Sequence, residues 1–272
     1  MENKSGAKLK VRSIVKIHGG KYYLAPFIID HFPKEHENMG YLEPFCGGAS
    51  VLLNKNPSKE EIINDIDIKL INIFKIVRDQ PKELIAKLKK IKYSETTFIK
   101  AQKEEQFEAI IDMAVNEFIL RRMSRGGLKK GFAWSDRERG GQPGDVNAWE
   151  TILKTIPVIS KRLSNVHILN KPALELIKAF SQESVFLYAD PPYLPETRVS
   201  KNAYEFELTE KGHIELASAL NNFKGKVLIS GYQSKLYKKL YKGWKVSKKE
   251  VPNHASQQKN KSIQTEMLWM NY

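Results

Sequence analysis

Two hydrophobic periods alternate along the chain. Tyr41-Leu42-Glu43-Pro44-Phe45 is a short apolar run closed by Gly47-Gly48, which predicts a strand running into a tight turn. Ala49 to Leu53 then starts a short helix. Glu61-Ile62-Ile63-Asn64-Asp65 predicts a second strand ending in an acid, and Ile68, Ile71, Phe74 and Val77 follow at helical spacing. A β-loop-α-β-α order of this kind opens a doubly wound sheet.

The pattern changes between Pro81 and about Leu163. Pro81 to Ile91 and Glu108 to Arg122 are amphipathic at helical spacing, and a glycine-rich basic stretch runs from Gly126 to Gly144. No strong buried-strand pattern occurs here, so the stretch predicts an inserted, mainly helical subdomain with a mobile loop. Strand and helix then alternate again. Val166 to Leu169 is a strand and Ala173 to Phe180 a helix. Val185-Phe186-Leu187-Tyr188-Ala189 is nearly continuously apolar, as the buried centre of a parallel sheet requires. Thr209 to Phe223 is a helix with Thr209 as N-cap, Lys226 to Tyr232 a strand, Ser234 to Tyr241 a helix, and Glu266 to Tyr272 a final strand. The expected organisation is a catalytic domain of residues 1–80 and 164–272, with 81–163 as the insert.

The 272 residues suffice for this arrangement, and 41% apolar residues suffice for a core. No run approaches the roughly 18 apolar residues that span a bilayer. The basic N-terminus lacks the apolar segment of a secretory signal. One cysteine, Cys46, leaves no internal disulfide. A cytoplasmic, nucleoid-associated location is the expectation. The six histidines show no metal-ligand spacing, so no metal is expected.

Charge adds a partner. The net charge is +14, with 45 Lys and Arg against 31 acids, which suits a polyanion. A lysine-rich solvated surface would give the same count. The charge is concentrated, however. Arg121, Arg122, Arg125, Lys129, Lys130, Arg137 and Arg139 fall in one glycine-broken stretch, which suits a loop following phosphates. A second cluster, Lys224 to Lys261, interleaves lysines with Tyr232, Tyr237, Tyr241 and Trp244.

The candidate chemistry centres on Asp190-Pro191-Pro192-Tyr193, directly after the buried strand. By average composition this tetrapeptide is expected by chance in roughly one chain per thousand of this length. It stands at the carboxyl edge of an α/β sheet, where ligands bind. An amino nitrogen conjugated to a base ring is a poor nucleophile. An acceptor that takes its hydrogens favours a pyramidal nitrogen with a localised lone pair. Asp190 can be that acceptor, with the Pro191 carbonyl held outward by prolines of fixed φ. Tyr193 offers a ring on which a flipped base could stack. Glu43-Pro44-Phe45-Cys46-Gly47-Gly48-Ala49 lets a ligand approach the backbone, and Asp65 at the end of the next strand can bind both ribose hydroxyls. Each has a plain alternative, a tight turn for the first and helix capping for the second. Together they describe an adenosine site, without a phosphate-binding loop. Lys21, after paired glycines in Lys16-Ile17-His18-Gly19-Gly20-Lys21, could reach a carboxylate, with a surface turn as the plain alternative. Cys46 has no nearby base and is expected to pack.

Taken together, these residues resemble the Dam-like, D12-class, DPPY-type adenine-specific DNA methyltransferases, phage or mobile-element members in particular. The order Lys-x-His-Gly-Gly-Lys, Glu-Pro-Phe-Cys-Gly-Gly, Asn-Asp-Ile-Asp, insert, Asp-Pro-Pro-Tyr matches, and Thr265 to Tyr272 looks like the family's closing strand. The resemblance implies a class I, Rossmann-like methyltransferase fold with a seven-stranded sheet and an antiparallel C-terminal hairpin. It implies S-adenosylmethionine as cofactor, touching Ile17, Lys21, Phe45, Cys46, Gly47, Gly48, Asp65 and Ile66, with the methyl donor near Asp190. It implies double-stranded DNA as partner, contacted by Lys16 and the seven basic residues of the insert, with a cognate restriction endonuclease as a further candidate partner. Three positions depart from the pattern: Ile17 replaces Trp or Tyr, Pro172-Ala173 replaces Asp-Phe, and the Arg125 to Gly144 stretch differs from the housekeeping enzyme. The alternatives are a cytosine-N4 methyltransferase and a non-catalytic DNA-binding relative. A cytosine-C5 enzyme needs a Pro-Cys nucleophile, which the chain lacks.

Overall fold

The computed structural model describes residues 11–135, 137–139, 141–198, 205–252 and 263–272. The chain forms two compact units. One comprises Met1–Ile29, Gly47–Lys55 and Ile68–Ile168, the other Asp30–Cys46, Asn56–Asp67 and Leu169–Tyr272. The compact helical unit therefore takes in more of the chain than residues 81–163.

The first half of the chain contains helix α1 (Ala25–Ile29), strand β1 (Gly40–Glu43), helix α2 (Ser50–Asn54), strand β2 (Glu60–Asn64) and helices α3 (Ile68–Asp79), α4 (Pro81–Lys89), α5 (Glu95–Lys103) and α6 (Ile110–Arg122). A hairpin of β3 (Glu138–Arg139) and β4 (Gln142–Pro143) leads into the long helix α7 (Gly144–Leu163). Then come β5 (Val166–Leu169), α8 (Ala173–Ala179), β6 (Val185–Ala189), α9 (Glu210–Asn221), β7 (Lys226–Tyr232), α10 (Lys235–Leu240), β8 (Lys245–Pro252) and β9 (Ile263–Met270).

Packing explains the helical unit. On α7, Trp149, Ile152, Leu153, Ile156, Ile159 and Leu163 are buried at steps of three and four, one stripe of a 20-residue helix. On α3, Leu70, Ile71, Phe74 and Val77 turn inward in the same way. Phe118 of α6 meets Trp149 edge to face, with centroids 5.1 Å apart. Pro81 opens α4, and the Ser94 hydroxyl caps α5 by accepting from the Thr97 amide at 3.2 Å. Among the described residues no helix is long and apolar enough to cross a membrane.

The sheet order is β5-β2-β1-β6-β7-β9-β8. β1 lies parallel to β2 and β6, and β6 parallel to β7. β9 runs antiparallel to β7, and β8 antiparallel to β9. The seven-stranded Rossmann-like sheet with its C-terminal hairpin is the expected class I methyltransferase arrangement. In β6, Phe186, Leu187, Tyr188 and Ala189 are all buried, as the continuous apolar run requires. Leu187, Val227, Ile229 and Trp269 share a core with Leu216, Ala217 and Leu220 of α9 and with Tyr237 of α10. Thr209 caps α9 as expected, accepting from the Gly212 amide at 3.1 Å.

Several elements were not legible from periodicity, among them α1, the β3–β4 hairpin, α5, α7 and β8. α5 is short and weakly patterned. The amphipathic stripe of α7 follows directly on the glycine-rich stretch, which draws attention first. β8 reads Lys-Val-Ser-Lys-Lys-Glu-Val-Pro and resembles a charge run, yet it is the sheet's edge strand, where lysines discourage pairing with other chains.

Candidate active site

The sheet's topology sets the site. From β1 the chain winds outward through β2, whereas β6 and β7 lie on the other side of β1. The crevice at the carboxyl ends of β1 and β6 is therefore the topological switch point, where ligands of open α/β sheets bind. Both strands belong to the second unit. Glu43 ends β1, and Asp190 directly follows β6.

Asp190 is held by neighbouring strands. Ser230 of β7 donates to its Oδ1 at 2.8 Å, and the Tyr193 hydroxyl lies 3.1 Å from the same oxygen. Tyr188 and Ser230 share a hydrogen bond of 3.2 Å, so the chain of hydroxyls reaches back into β6. Tyr193 also donates to Oε1 of Glu266 on β9. Burial, then the charges of Asp190 and Glu266, push the Tyr193 phenol well above its usual range, so it is a neutral donor. Burial with Asp190 beside it does the same to Tyr188. The Tyr193 ring is only 4% exposed and meets Tyr232 edge to face, with centroids 4.7 Å apart. It presents no open stacking face here; its geometry serves its hydroxyl. Pro191 is buried and Pro192 half-buried. Ser230 and Glu266 were not singled out from sequence. The one available signal was Glu266 as the only acid in an otherwise apolar and polar-neutral strand.

The ends of β1 and β2 are tied together by amides. Asn64 donates to the Pro44 and Lys171 carbonyls, both at 3.0 Å, and accepts from the Lys171 amide at 2.8 Å. The Cys46 amide donates to the Asn64 carbonyl at 2.8 Å. Asn170 donates to the carbonyls of Asp65 and Ile66 at 2.7 and 3.0 Å, fixing that backbone. Asp65 Oδ1 accepts from the Asp67 amide at 3.0 Å, a local turn bond just before α3 rather than a cap on the helix's own amides. Next to it Ile66 is 48% exposed, an apolar side chain beside a carboxylate. Cys46 is buried, and burial with Asp65 and Glu43 nearby pushes its thiol well up, consistent with packing rather than nucleophilic chemistry. Pro172, one of the departures, stands at the N-cap of α8.

In the first unit, Gly47 and Gly48 lie against the segment before Lys21. A methyl group on Gly48 would come 2.8 Å from Ser13 Oγ and 3.6 Å from Ile17 Cγ1, so those side chains fill the space that a larger residue would need. Lys21 is buried and its ammonium donates to the Gly19 carbonyl at 3.1 Å. Gly127, at φ +73°, sits so close to Lys16 that a methyl there would lie 2.0 Å from the Lys16 carbonyl oxygen.

The basic residues are not equivalent. Arg121 is buried and donates to Glu117 at 2.7 Å, and Lys129 reaches the same carboxylate at 3.2 Å. Arg121 is thus a structural ion pair inside the helical unit, not part of an open basic surface. Arg125, Lys130 and Arg137 are exposed. Arg139 lies in β3, but its side chain falls outside the described residues. Lys16 and Arg122 are half-buried, with Asp145 3.9 Å from Lys16. Burial, with repulsion from Arg12, outweighs the opposing pull of Tyr93 and Asp145 and lowers Arg122 to about 10. Lys16 is lowered by burial and then by Arg122.

Known proteins place this geometry in a family. The model of the D12 class N6 adenine-specific DNA methyltransferases matches residues 18–255. A Type II methyltransferase, M.MjaIII of Methanocaldococcus jannaschii, is 28% identical over 97% of this chain and 100% of its own length. A DNA adenine methylase of Haemophilus influenzae is 27% identical over 96% of this chain and 93% of its own. Among solved structures, a SAM-dependent methyltransferase from Agrobacterium tumefaciens covers 94% of this chain and 62% of its own at 8% identity, with a TM-score of 0.42. The fold assignment rests on the strand order and the family match. The chain belongs to the D12 class of N6 adenine-specific, S-adenosylmethionine-dependent DNA methyltransferases.

Proposed function

We propose that the chain methylates N6 of an adenine flipped out of double-stranded DNA, with Asp190 as the catalytic acceptor. The observation that carries this is the Asp190 carboxylate at the switch point, its Oδ1 held by Ser230 and approached by Tyr193. In this reading Asp190 takes hydrogen bonds from the adenine amino group, and the Pro191 carbonyl takes a second. The nitrogen lone pair is thereby freed from the ring. Fixing the carboxylate in advance removes the cost of orienting it in the transition state. The base must leave the stack to reach such a site, and unpaired or mismatched bases do so at lower cost.

Each unit by itself carries groups suited to parts of the cofactor. In the second unit, Asp65 supplies a carboxylate for ribose hydroxyls, Ile66 an exposed apolar contact for the adenine ring, and Phe45 and Cys46 the adjoining turn. In the first unit, Gly47 and Gly48 offer bare backbone, and Lys21 and Ile17 stand in the Lys-x-His-Gly-Gly-Lys segment. When bound, S-adenosylmethionine supplies an electrophilic methyl group on sulfur. Asp190 then holds the proton that the amino group gives up.

Residues 81–163 are proposed as the target-recognition region, with the exposed Arg125, Lys130 and Arg137, together with Arg139, Lys16, Arg122 and Lys129, meeting DNA. Arg122 is repelled by both Lys16 and Arg12, and Asp145 offsets only part of that charge, which a phosphate would relieve further. The Type II names of relatives make a restriction endonuclease the partner class to look for. Alanine substitutions at Arg125, Lys130 and Arg137, assayed for binding at several salt concentrations and for methylated sequence, test the recognition reading. A phosphate contact should flatten the salt dependence by about one unit of slope. A base-reading arginine should relax preference at one position by about 1–3 kcal/mol. No change in either would move recognition elsewhere.

A further inference from the structure

Glu266 is a carboxylate only 2% exposed, and the methylation chemistry above does not use it. It lies on β9 and reaches Tyr193, 73 residues away in sequence. The Tyr193 hydroxyl has two carboxylates to serve and one proton to give. Glu266 Oε1 accepts it on one side, and Asp190 Oδ1 lies 3.1 Å away on the other. A contact of 3.1 Å is long for an O–H···O bond, which is commonest near 2.7–2.8 Å. Asp190 Oδ1 meanwhile has a good donor in Ser230, at 2.8 Å.

Groups on four strands face Glu266 or its neighbours. Lys249 stands directly opposite it in the β8–β9 ladder, where cross-strand partners have Cβ atoms about 4.5–5.5 Å apart. From β7, Tyr232 is its register partner, but that phenol donates to Gln264 at 3.0 Å. From β6 and the turn after it come the neutral phenols Tyr188 and Tyr193 and the carboxylate of Asp190. Glu43 of β1 is the remaining acid near Tyr188, and it is already bonded to Tyr41 at 2.8 Å.

We propose that Glu266 is a positioning residue for methylation: it takes the Tyr193 proton and keeps it off Asp190, whose carboxylate stays a full-strength acceptor for the adenine amino group. This rests on the assignment of Asp190 as the catalytic acceptor. A hydrogen bond donated to a carboxylate stabilises its charged form and weakens it as an acceptor. Glu266 therefore tunes Asp190 without touching substrate.

The test is a set of kcat–pH profiles for wild type, E266Q, Y193F and the double variant, with saturating S-adenosylmethionine and DNA. Gln keeps the volume but can donate to the Tyr193 oxygen, which turns the phenolic proton toward Asp190. E266Q is expected to lower kcat at least tenfold at neutral pH, with affinities for cofactor and DNA within twofold, and to move the acid limb of kcat to lower pH. In the Y193F background the same change should alter kcat less than twofold, because no phenolic proton remains to redirect. An E266Q enzyme with kcat within twofold of wild type, or one whose defect is equally large in Y193F, overturns the proposal. If E266Q does not fold, Y193F alone decides, since its acid limb should not fall below that of wild type and a downward shift overturns the proposal. D190N serves as the separate control. Turnover by D190N would remove the catalytic assignment itself, whatever the Glu266 variants do.

Discussion

Arg121 offers a sharp separation of structural from DNA-contacting charge. In the helical unit its guanidinium donates to Glu117 at 2.7 Å, and both side chains are almost fully buried. Arg121→Ala leaves the Glu117 carboxylate buried with one of its cations gone. Removing one partner of a buried pair costs about 3–5 kcal/mol. Lys129, 3.2 Å from the same carboxylate, compensates in part, so the loss should lie near the lower bound, about 3 kcal/mol. At roughly 2–4 °C per kcal/mol for a chain of this size, the melting temperature should fall by roughly 6–12 °C. Arg125→Ala, at an exposed position, should move it by no more than about 1–2 °C, since surface changes stay within about 0.5 kcal/mol. Scanning calorimetry of the two variants gives the stabilities, and fluorescence anisotropy with duplex DNA at several salt concentrations gives the ionic contacts. For Arg125→Ala the salt slope should drop by about one unit; for Arg121→Ala, measured below its melting range, it should not change. An Arg121→Ala protein of unchanged stability but reduced salt slope would refute the reasoning and return Arg121 to the DNA surface.

Other positions give independent tests. Gly127→Ala should destabilise by at least about 2 kcal/mol, because left-handed backbone costs a side chain about 1–2 kcal/mol and the methyl would also overlap the Lys16 carbonyl; a melt within 1 °C of wild type, about 0.5 kcal/mol or less, would contradict it. Asp65→Ala should weaken S-adenosylmethionine binding by roughly 1.5–3 kcal/mol, as calorimetry would read, and unchanged affinity would mean the ribose contact is misplaced. His213 is buried, bonded to the Tyr237 hydroxyl at 2.9 Å, and lowered to about 4 by burial and then by Arg198. Its neutral form is favoured by folding, so stability should be full above about pH 6.5 and decline as pH falls toward 4, by on the order of 3 kcal/mol. Denaturant melts of wild type and His213→Asn between pH 7 and pH 4 should show a shallower decline in the variant, and parallel curves would place the acid sensitivity elsewhere.

What the sequence revealed follows from how local each signal is. Val185 to Ala189 followed by Asp190-Pro191-Pro192-Tyr193 is contiguous, so both the buried strand and the acid at its end could be read directly. The positions of Asp65 at the end of a strand and of the Gly47-Gly48 turn were legible for the same reason, and the turn bond that Asp65 accepts from the Asp67 amide shows that one acid can serve a local role as well. Glu266 was hidden because its partner is defined only once β9 pairs with β7 and lies near the end of β6. Charge counts misled at Arg121, although Glu117 at i−4 was a visible clue to an internal pair. They misled again at β8, where an edge strand's lysines look like a solvated run. Tyr193 was expected to stack, but tertiary packing against Tyr232 turned its ring inward.

The central claim is best tested by supplying labelled S-adenosylmethionine and duplex DNA to wild type and Asp190→Ala, then digesting the DNA for mass spectrometry. Wild type should yield N6-methyladenine, and Asp190→Ala, with cofactor and DNA affinities largely retained, should yield none. N4-methylcytosine as the product, or Asp190→Ala turnover comparable to wild type, would contradict the account.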